Sequence, residues 1–492
     1  MRSVLRARAG LVALALAAAC ADKPTPPTAT PAPTPQPSAA APAAPVAAPA
    51  PAPAPPPPLA AVVTLDPKRR HQTLTGFGAS IAWYQDKLVP NPPEGAYQML
   101  FADLGLDILR LRNRFGRVVK AFDANFGQDV EIYKKATAAL GHPPKILLSS
   151  WTPPATLKAS KAEDCKSNPD CTLVKDNGKF VYDKFAEYWR ASIAAYRAAG
   201  ISPDWISIQN EPSFIPPFWE GCRFDAAESE SYPGYDRALA ATHKALKKLP
   251  KPPGMLGPEV LGIHHDMLEK YVKAMNVDLV VGIAHHLYEK GPDNVWDWLD
   301  PGPDSYVDEM KAVPALVRKP LYQTEFGTED DLGHLGGFET ALMIHQSLVA
   351  EGVVMFLWWD LYWIGDKGLV GIDYRPIRPR DQYFSLRHFA RFTDPGWVRV
   401  GAASSADDKV RVSAFASPDD KQLTAIVINS STTEAATVRV EAPGWEGAGS
   451  VVYRTVYRPK ASETWKDLGA LAATRTVELP SRSVATVVLK RP

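Results

Sequence analysis

KFAEYWRASIAAYRAAGISPDWISIQNEP, Lys184 to Pro212, holds one complete α/β repeat and fixes how the rest is read. Its first part places apolar residues three and four apart and stops at Gly200, the pattern of an amphipathic helix with a glycine terminator. WISIQNE (205–211) follows, an apolar strand that runs into Asn210, Glu211 and Pro212. Proline cannot donate to a strand ladder, so Pro212 ends the strand and turns the chain outward, leaving a carboxylate at its tip.

The same alternation extends in both directions. Strand patterns occur at LTGFGAS (74–80), ILRLRN (108–113), KILLSSW (145–151), GMLGPE (254–259), LVVGIAHHLY (279–288), PLYQTEFG (320–327) and VVMFLWWD (353–360). Helical patterns lie between them, as in YDRALAATHKALKKL (235–249) and FETALMIHQSLVAEG (338–352), and the series closes near QYFSLRHFARF (382–392). Periodicity argues for an α/β fold, and eight alternations argue for a (β/α)8 barrel over residues 74–393. Beyond Asp394 the period becomes two, in VRVSAFAS, QLTAIVINSS, ATVRVEA, SVVYRTVY and SVATVVLK. Residues 394–492 therefore read as a β-sandwich, with a structural role. An isolated strand, AAVVTLD (60–66) within 59–73, precedes the barrel.

The N-terminus is of another kind. Residues 1–20 have a basic start and a short apolar run from Ala9 to Ala19, too short to span a bilayer and typical of an export signal. LAAAC (16–20) resembles the bacterial lipobox, which makes Cys20 a candidate for lipid attachment, although the leucine sits one place early. Ala17-x-Ala19 equally suits ordinary signal peptidase and a free secreted protein. Residues 21–58 form a Pro/Ala-rich linker, in which Pro24–Pro58 holds 16 of the 47 prolines. A spacer of that composition reaches about 100 Å at about 3.1 Å per residue. Both readings place the folded body outside the cytoplasm, the first with a lipid anchor as its only membrane contact.

Length and charge bound the function further. The 492 residues suffice for more than one domain. The net charge is +1, and residues 1–58 carry a surplus of three positive charges, so the body stands near −2. It lacks the electrostatic footprint of a nucleic-acid binder. Thirteen tryptophans among 10% aromatic residues suit a stacking surface for sugars as well as a core. After Cys20, three cysteines remain, Cys165, Cys171 and Cys222. They follow SSWTPP and QNEP, so Cys222 can pair with either of the others if those loops are neighbours. The local pair Cys165–Cys171 is the competing choice, and the spacing fits no zinc site.

In a (β/α)8 barrel the chemistry sits at the C-terminal strand ends. Those ends supply Arg110, Trp151, Asn210, Glu211, His286, Tyr288, Glu325, Trp358, Trp359 and Asp360. Glu211 and Glu325 close the fourth and seventh strands, which stand opposed across a barrel. Glycoside hydrolysis needs one carboxyl group to protonate the leaving oxygen and one carboxylate to attack carbon, about 5–5.5 Å apart for retention. Arg110 and Tyr288 are placed to hold Glu325 ionised as a nucleophile, and Trp151 to raise the pKa of Glu211 as the acid. Asn210 then faces the sugar 2-hydroxyl. His264, His265, His285 and His286 lack an accompanying carboxylate-rich ligand set, so they read as wall residues, with no metal or other cofactor. Glu329, Asp330 and Asp331 read as a solvated loop, and Glu259 as either a cleft residue or a barrel cap.

GFG (76–78), LRLR (109–112), SSWTPPATLK (149–158), ISIQNEP (206–212), GPEV (257–260), AHHLYE (284–289) and QTEFG (323–327) resemble glycoside hydrolase family 30 of clan A, over nearly the whole body. The resemblance implies a (β/α)8 barrel fused to a β-sandwich that includes an N-terminal strand. It matches Glu211 to the acid/base and Glu325 to the nucleophile. Arg110, Trp151, Asn210, His286, Tyr288 and Trp359 match supporting positions, with Trp359 rather than Trp358 in the cleft. Glucosylceramidase-type members place an acid shortly after GFGG; here Trp83 stands there, which argues for a cleft that binds an internal sugar. Glucuronoxylan-specific members carry an arginine after the strand-eight aromatics; here Lys367 is the nearby cation. Phe214, Phe218, Trp219, Tyr362 and Trp363 are candidate stacking platforms. The expectation is a monomeric retaining endo-β-1,4-xylanase acting on a polysaccharide or oligosaccharide. The alternatives are a β-1,6-glucanase, β-xylosidase or glucosylceramidase activity, or a surface lipoprotein that binds carbohydrate without cleaving it.

Overall fold

The computed structural model describes residues 58–116, 126–263, 267–288, 302–328, 333–365, 367–459 and 462–491. The export signal, Cys20, most of the linker, His264, His265 and the acidic run 329–331 lie outside the described residues.

Eight strands hydrogen-bond side by side into a closed parallel barrel. After β1 (Leu59–Thr73) they are β2 (Gly76–Ile81), β3 (Ile108–Arg112), β4 (Lys145–Ser149), β5 (Trp205–Ser207), β6 (Gly254–Val260), β7 (Gly282–His286), β8 (Leu321–Phe326) and β9 (Met355–Trp358). Each is followed by helix. A π-helical turn, Gln98–Asp103, follows β2, and then come α1 (Phe126–Leu140), α2 (Tyr182–Ala198), α3 (Tyr235–Leu246), α4 (Met267–Ala274), α5 (Val307–Leu316), α6 (Gly333–Gln346) and α7 (Asp381–Ala390). The strands read as apolar runs because both faces are covered. Ile108, Leu147, Leu256, Ala284 and Leu357 fill the barrel interior, while a larger core packs strands against helices. Gly78 shows how tight the closure is: a Cβ there would fall on the Ile108 carbonyl oxygen.

The second region is one hydrogen-bonded sheet of nine strands. It comprises β1 with β10 (Val398–Ser404), β11 (Val410–Ala416), β12 (Gln422–Asn429), β13 (Ala436–Glu441), β14 (Gly449–Val456), β15 (Glu463–Gly469), β16 (Thr476–Leu479) and β17 (Ser483–Lys490). β1 runs antiparallel to β10 and parallel to β13, so the N-terminal strand joins this sheet and not the barrel. Val63 and Val438, on neighbouring strands, share one core with Val427 and Val487, a neighbouring pair separated from them by two strands in the sheet order. The sheet thus closes over its own apolar face, as the period-two pattern requires. His388 of α7 ties the regions together, with its two ring nitrogens each 2.8 Å from a threonine hydroxyl, Thr486 and Thr455. Burial lowers its pKa to about 3, so the ring bridges them as a neutral imidazole.

Candidate active site

β5 is shorter than its apolar run. The ladder ends at Ser207, and the chain continues as an irregular segment whose backbone is held by neighbouring strand ends. Asn210 N–H donates to Ser150 O at 2.7 Å, and Glu211 N–H to Glu259 O at 3.0 Å. Glu211 and Glu259 both take left-handed backbone angles, φ 47° and 59°. A side-chain-bearing residue adopts that conformation at a cost of about 1–3 kcal/mol, which its surroundings must over-determine. The turn directs the Glu211 carboxyl inward instead of along the strand.

Arg110 organises what lies inside. Fully buried on β3, its guanidinium reaches Glu325 Oε2 at 2.5 Å through Nη1 and Asn210 Oδ1 at 2.6 Å through Nη2. It also donates to Ser149 Oγ and Ser80 Oγ, each at 3.2 Å, and pairs with Glu259 Oε1 at 3.1 Å. Arginine only donates, so the Asn210 carbonyl must face it and the amide NH2 is left to donate elsewhere. Glu259, which the sequence left between two readings, is therefore part of the site. Its pKa falls to about 2: burial opposes the charge, and Arg110, then His286, more than reverse that. Nothing in its sequence environment marked this, because a strand-end glutamate in an apolar run gives no sign of which way it turns.

His286 Nδ1 lies 3.0 Å from Glu211 Oε1 and 4.0 Å from Glu325 Oε1, and Nε2 lies 3.9 Å from Glu259. Burial disfavours its charge, but Glu325, Glu211 and Glu259 raise the ring pKa to about 9. It is an imidazolium at neutral pH. His285, next along the strand, points to the other side and contacts Glu351 Oε1 at 2.5 Å.

Ligand-type atoms of Glu211, His286 and Glu325 all lie within 4.8 Å of one another. That is the spacing a cation would use, yet the chemistry of the donors fits it poorly. Arg110 already contacts Glu325, and a protonated His286 presents N–H at Nδ1. Burial raises the Glu325 carboxyl above its ordinary range, His286 and Arg110 pull it down, and a charged Glu211 pushes it up again. The Trp151 ring lies 4.5 Å from the Arg110 guanidinium carbon and lines the same cavity as Glu211, and His286 is the hydrogen-bond partner of Glu211.

A cavity of about 700 Å³ opens over these groups. Trp83, Trp151, Asn210, Glu211, Tyr288, Glu325 and Trp359 are among its lining residues, so the sequence candidates converge, with Arg110 and His286 buried behind. Trp83 packs edge-on to Trp359 at 5.4 Å, and Trp151 lies 5.6 Å from Trp359. Trp358 is buried away from the cavity against Phe326, as alternation along a strand demands. Tyr288 is half-buried beside both carboxylates, and desolvation and then their charges push its phenol well above the ordinary value.

Asp360 is a further buried carboxyl on the cavity wall, and neither oxygen has a hydrogen-bond partner among the described residues. Burial, reinforced by Glu325, raises its pKa well above the ordinary value. Below the unfolded value of about 3.9 it is neutral in both states. Above that, only the unfolded chain ionises it readily, so stability declines as pH rises. Asp360→Asn is expected to raise the thermal midpoint at pH 7–8 and to leave it unchanged near pH 3; a lower midpoint at pH 7 would show that the ionised form is the stabilising one.

No family model matches the chain. Among curated proteins, the glucuronoxylanase XynC of Bacillus subtilis (strain 168) is 23% identical over 448 residues, covering 88% of this chain and 92% of that one. Among solved structures, the catalytic domain of the GH30 xylanase C from Talaromyces cellulolyticus superposes with a TM-score of 0.67 at 18% identity, over 87% of this chain and all of that one. The likeness runs through barrel and sheet alike. Over both regions the chain is similar to xylanases of glycoside hydrolase family 30. An endo-β-1,6-glucanase also shares the fold, with a TM-score of 0.64 at 16% identity, over 88% of this chain and 94% of that one. By this likeness the chain is a glycoside hydrolase of the retaining type.

The three cysteines resolve locally. Cys165 and Cys171 form the disulfide, and Cys222 is a free, buried thiol whose pKa burial raises to about 12. The loops after β4 and β5 are neighbours, as the alternative pairing also required, yet Cys222 stays unpaired.

Proposed function

We propose that this enzyme is an endo-β-1,4-xylanase working by double displacement, with Glu325 as nucleophile and Glu211 as acid/base. The observation that carries the reading is the pair of carboxylates within 4.8 Å in one cavity, with Arg110 in contact with only one of them. Such a spacing suits direct attack on the anomeric carbon; an inverting pair needs about 6.5–9.5 Å to admit a water. Charge counting places the acid proton on Glu211. Arg110 and His286 balance Glu259 and Glu325, so Glu211 completes a neutral cluster when protonated. In the first step Glu325 attacks the anomeric carbon and the Glu211 proton passes to the departing oxygen, leaving a covalent glycosyl-enzyme. The imidazolium of His286 then stabilises the carboxylate formed on Glu211. In the second step Glu211 takes a proton from water, whose oxygen displaces Glu325. Asn210, its carbonyl fixed by Arg110, presents its NH2 to the sugar 2-hydroxyl.

Support for xylan comes from the curated relatives, both of them glucuronoxylanases. Lys367 on the cavity wall, where those specific for glucuronic acid side groups carry arginine, argues against a requirement for such groups. The export signal and linker favour action outside the cytoplasm, tethered through Cys20. Incubation with xylan, glucuronoxylan, β-1,6-glucan and aryl β-glycosides, followed by product analysis, tests the assignment. Xylo-oligosaccharides from both xylans are expected; release from β-1,6-glucan alone overturns the substrate, and binding without turnover overturns the enzyme.

A further inference from the structure

We infer that the loop following Glu211 is a leaving-group-side subsite, in which Phe218 and Trp219 take the flat faces of sugars beyond the scissile bond of a β-linked chain. The disulfide loop Cys165–Cys171 positions it. This rests on Glu211 being the acid, since residues on its own loop then stand on the side from which the leaving group departs.

Phe218 is 77% exposed and Trp219 39%, the first being the most exposed large apolar side chain among the described residues. Two adjacent apolar rings in water have no folding reason to be there. Trp219, the neighbour of Phe218 in the chain, is also not isolated from the site. Phe214 and Trp219 line the same cavity as Glu211 and Glu325, and their ring centroids lie 6.1 Å apart. The opposite wall carries Trp83, Trp359 and Trp363, within 5.4–6.2 Å of one another. The carboxylates therefore sit between two aromatic surfaces, an arrangement suited to a chain that continues past the bond being cut.

A floppy platform would lose its binding energy to ordering, and this one is clamped. Cys165 N–H donates to Trp219 O at 2.9 Å and Ser167 N–H to Pro216 O at 3.0 Å. Asp164 and Glu220 form an antiparallel bridge. Beneath them Lys158 Nζ donates to Gly221 O at 2.7 Å and to Glu163 O at 2.6 Å, joining the two loops. Glu220 is anchored by Arg112 at 2.9 Å, and the Arg112 guanidinium lies 4.7 Å from the Trp83 ring on the other wall. The disulfide closes the loop that supplies these donors.

The test compares Phe218→Ala, Trp219→Ala, Phe218→Tyr and the double variant Cys165→Ser/Cys171→Ser with the wild type. The readout is the ratio of kcat/KM on the polysaccharide to kcat/KM on an aryl β-glycoside, which has no sugar beyond the bond. Each alanine variant is expected to lower the ratio about three- to tenfold, the range of an aromatic stacking contact. Phe218→Tyr restores it. The cysteine variant, where circular dichroism shows it folded, lowers it similarly; the single aromatic variants decide the matter if it is not folded. An unchanged ratio, or equal losses on both substrates, overturns the subsite. So does a wild-type enzyme that cleaves aryl glycosides but no polymer, and that result leaves the two-carboxylate chemistry standing. A chain that cleaves none of the substrates ends the glycosidase assignment and the subsite with it.

Discussion

Glu325→Gln abolishes turnover and leaves oligosaccharide binding within about a factor of ten, because the amide keeps the shape of the side chain and loses the nucleophile. Glu325→Ala goes further as a diagnostic. Azide or formate fits the space left by the carboxylate, and azide attacking from that side gives an α-glycosyl azide from a β-linked substrate. Glu211→Gln behaves differently. It removes the proton donor at a cost of about 10²–10⁴-fold in rate, least for substrates with good leaving groups that need no protonation. Activated aryl glycosides thus separate the two roles. Equal losses for both variants on every substrate would show that the roles are not divided as proposed.

Arg110→Met is the variant expected to cost most in stability. It leaves Glu259 and Glu325 buried with one neutralising partner removed, and breaking a buried ion pair from one side costs about 3–5 kcal/mol. Chemical denaturation at neutral pH measures this. The pH profile carries a second signature. Arg110 lowers the pKa of Glu325, so its loss raises that pKa, and the nucleophile is then ionised only at higher pH. The acid limb of kcat/KM moves upward. Arg110→Lys keeps a charge but not the fork that spans Glu325, Asn210 and Glu259, so it recovers part of the stability and little of the rate. A variant that is less stable but keeps the wild-type acid limb would make Arg110 a structural residue only.

The barrel and its two opposed glutamates were legible because they depend on local pattern. Apolar runs that alternate with helical periods, and end on carboxylates, reflect strands buried on both faces with one exposed end. Pro212 marked where β5 gives way. What was not legible depends on the directions that strand ends take once they leave the ladder. Glu259 could be read as a cleft residue or a cap, and its left-handed backbone turns it towards Arg110 and His286. The contact of the Trp151 ring with the Arg110 guanidinium was not legible either, since spacing along the chain does not encode which side chains meet at the barrel mouth. The disulfide could not be chosen because both candidate loops touch; the segment around Cys222 packs on the disulfide loop, and the short local closure still forms.

The central claim is that Glu211 and Glu325 act on one anomeric centre from opposite roles. Proton NMR of the first product released from a β-linked oligosaccharide, recorded before mutarotation, reads this directly. The account predicts that the β-anomer appears first and the α-anomer grows in later. An α-anomer present from the first spectra would mean direct attack by water, and no covalent intermediate on Glu325.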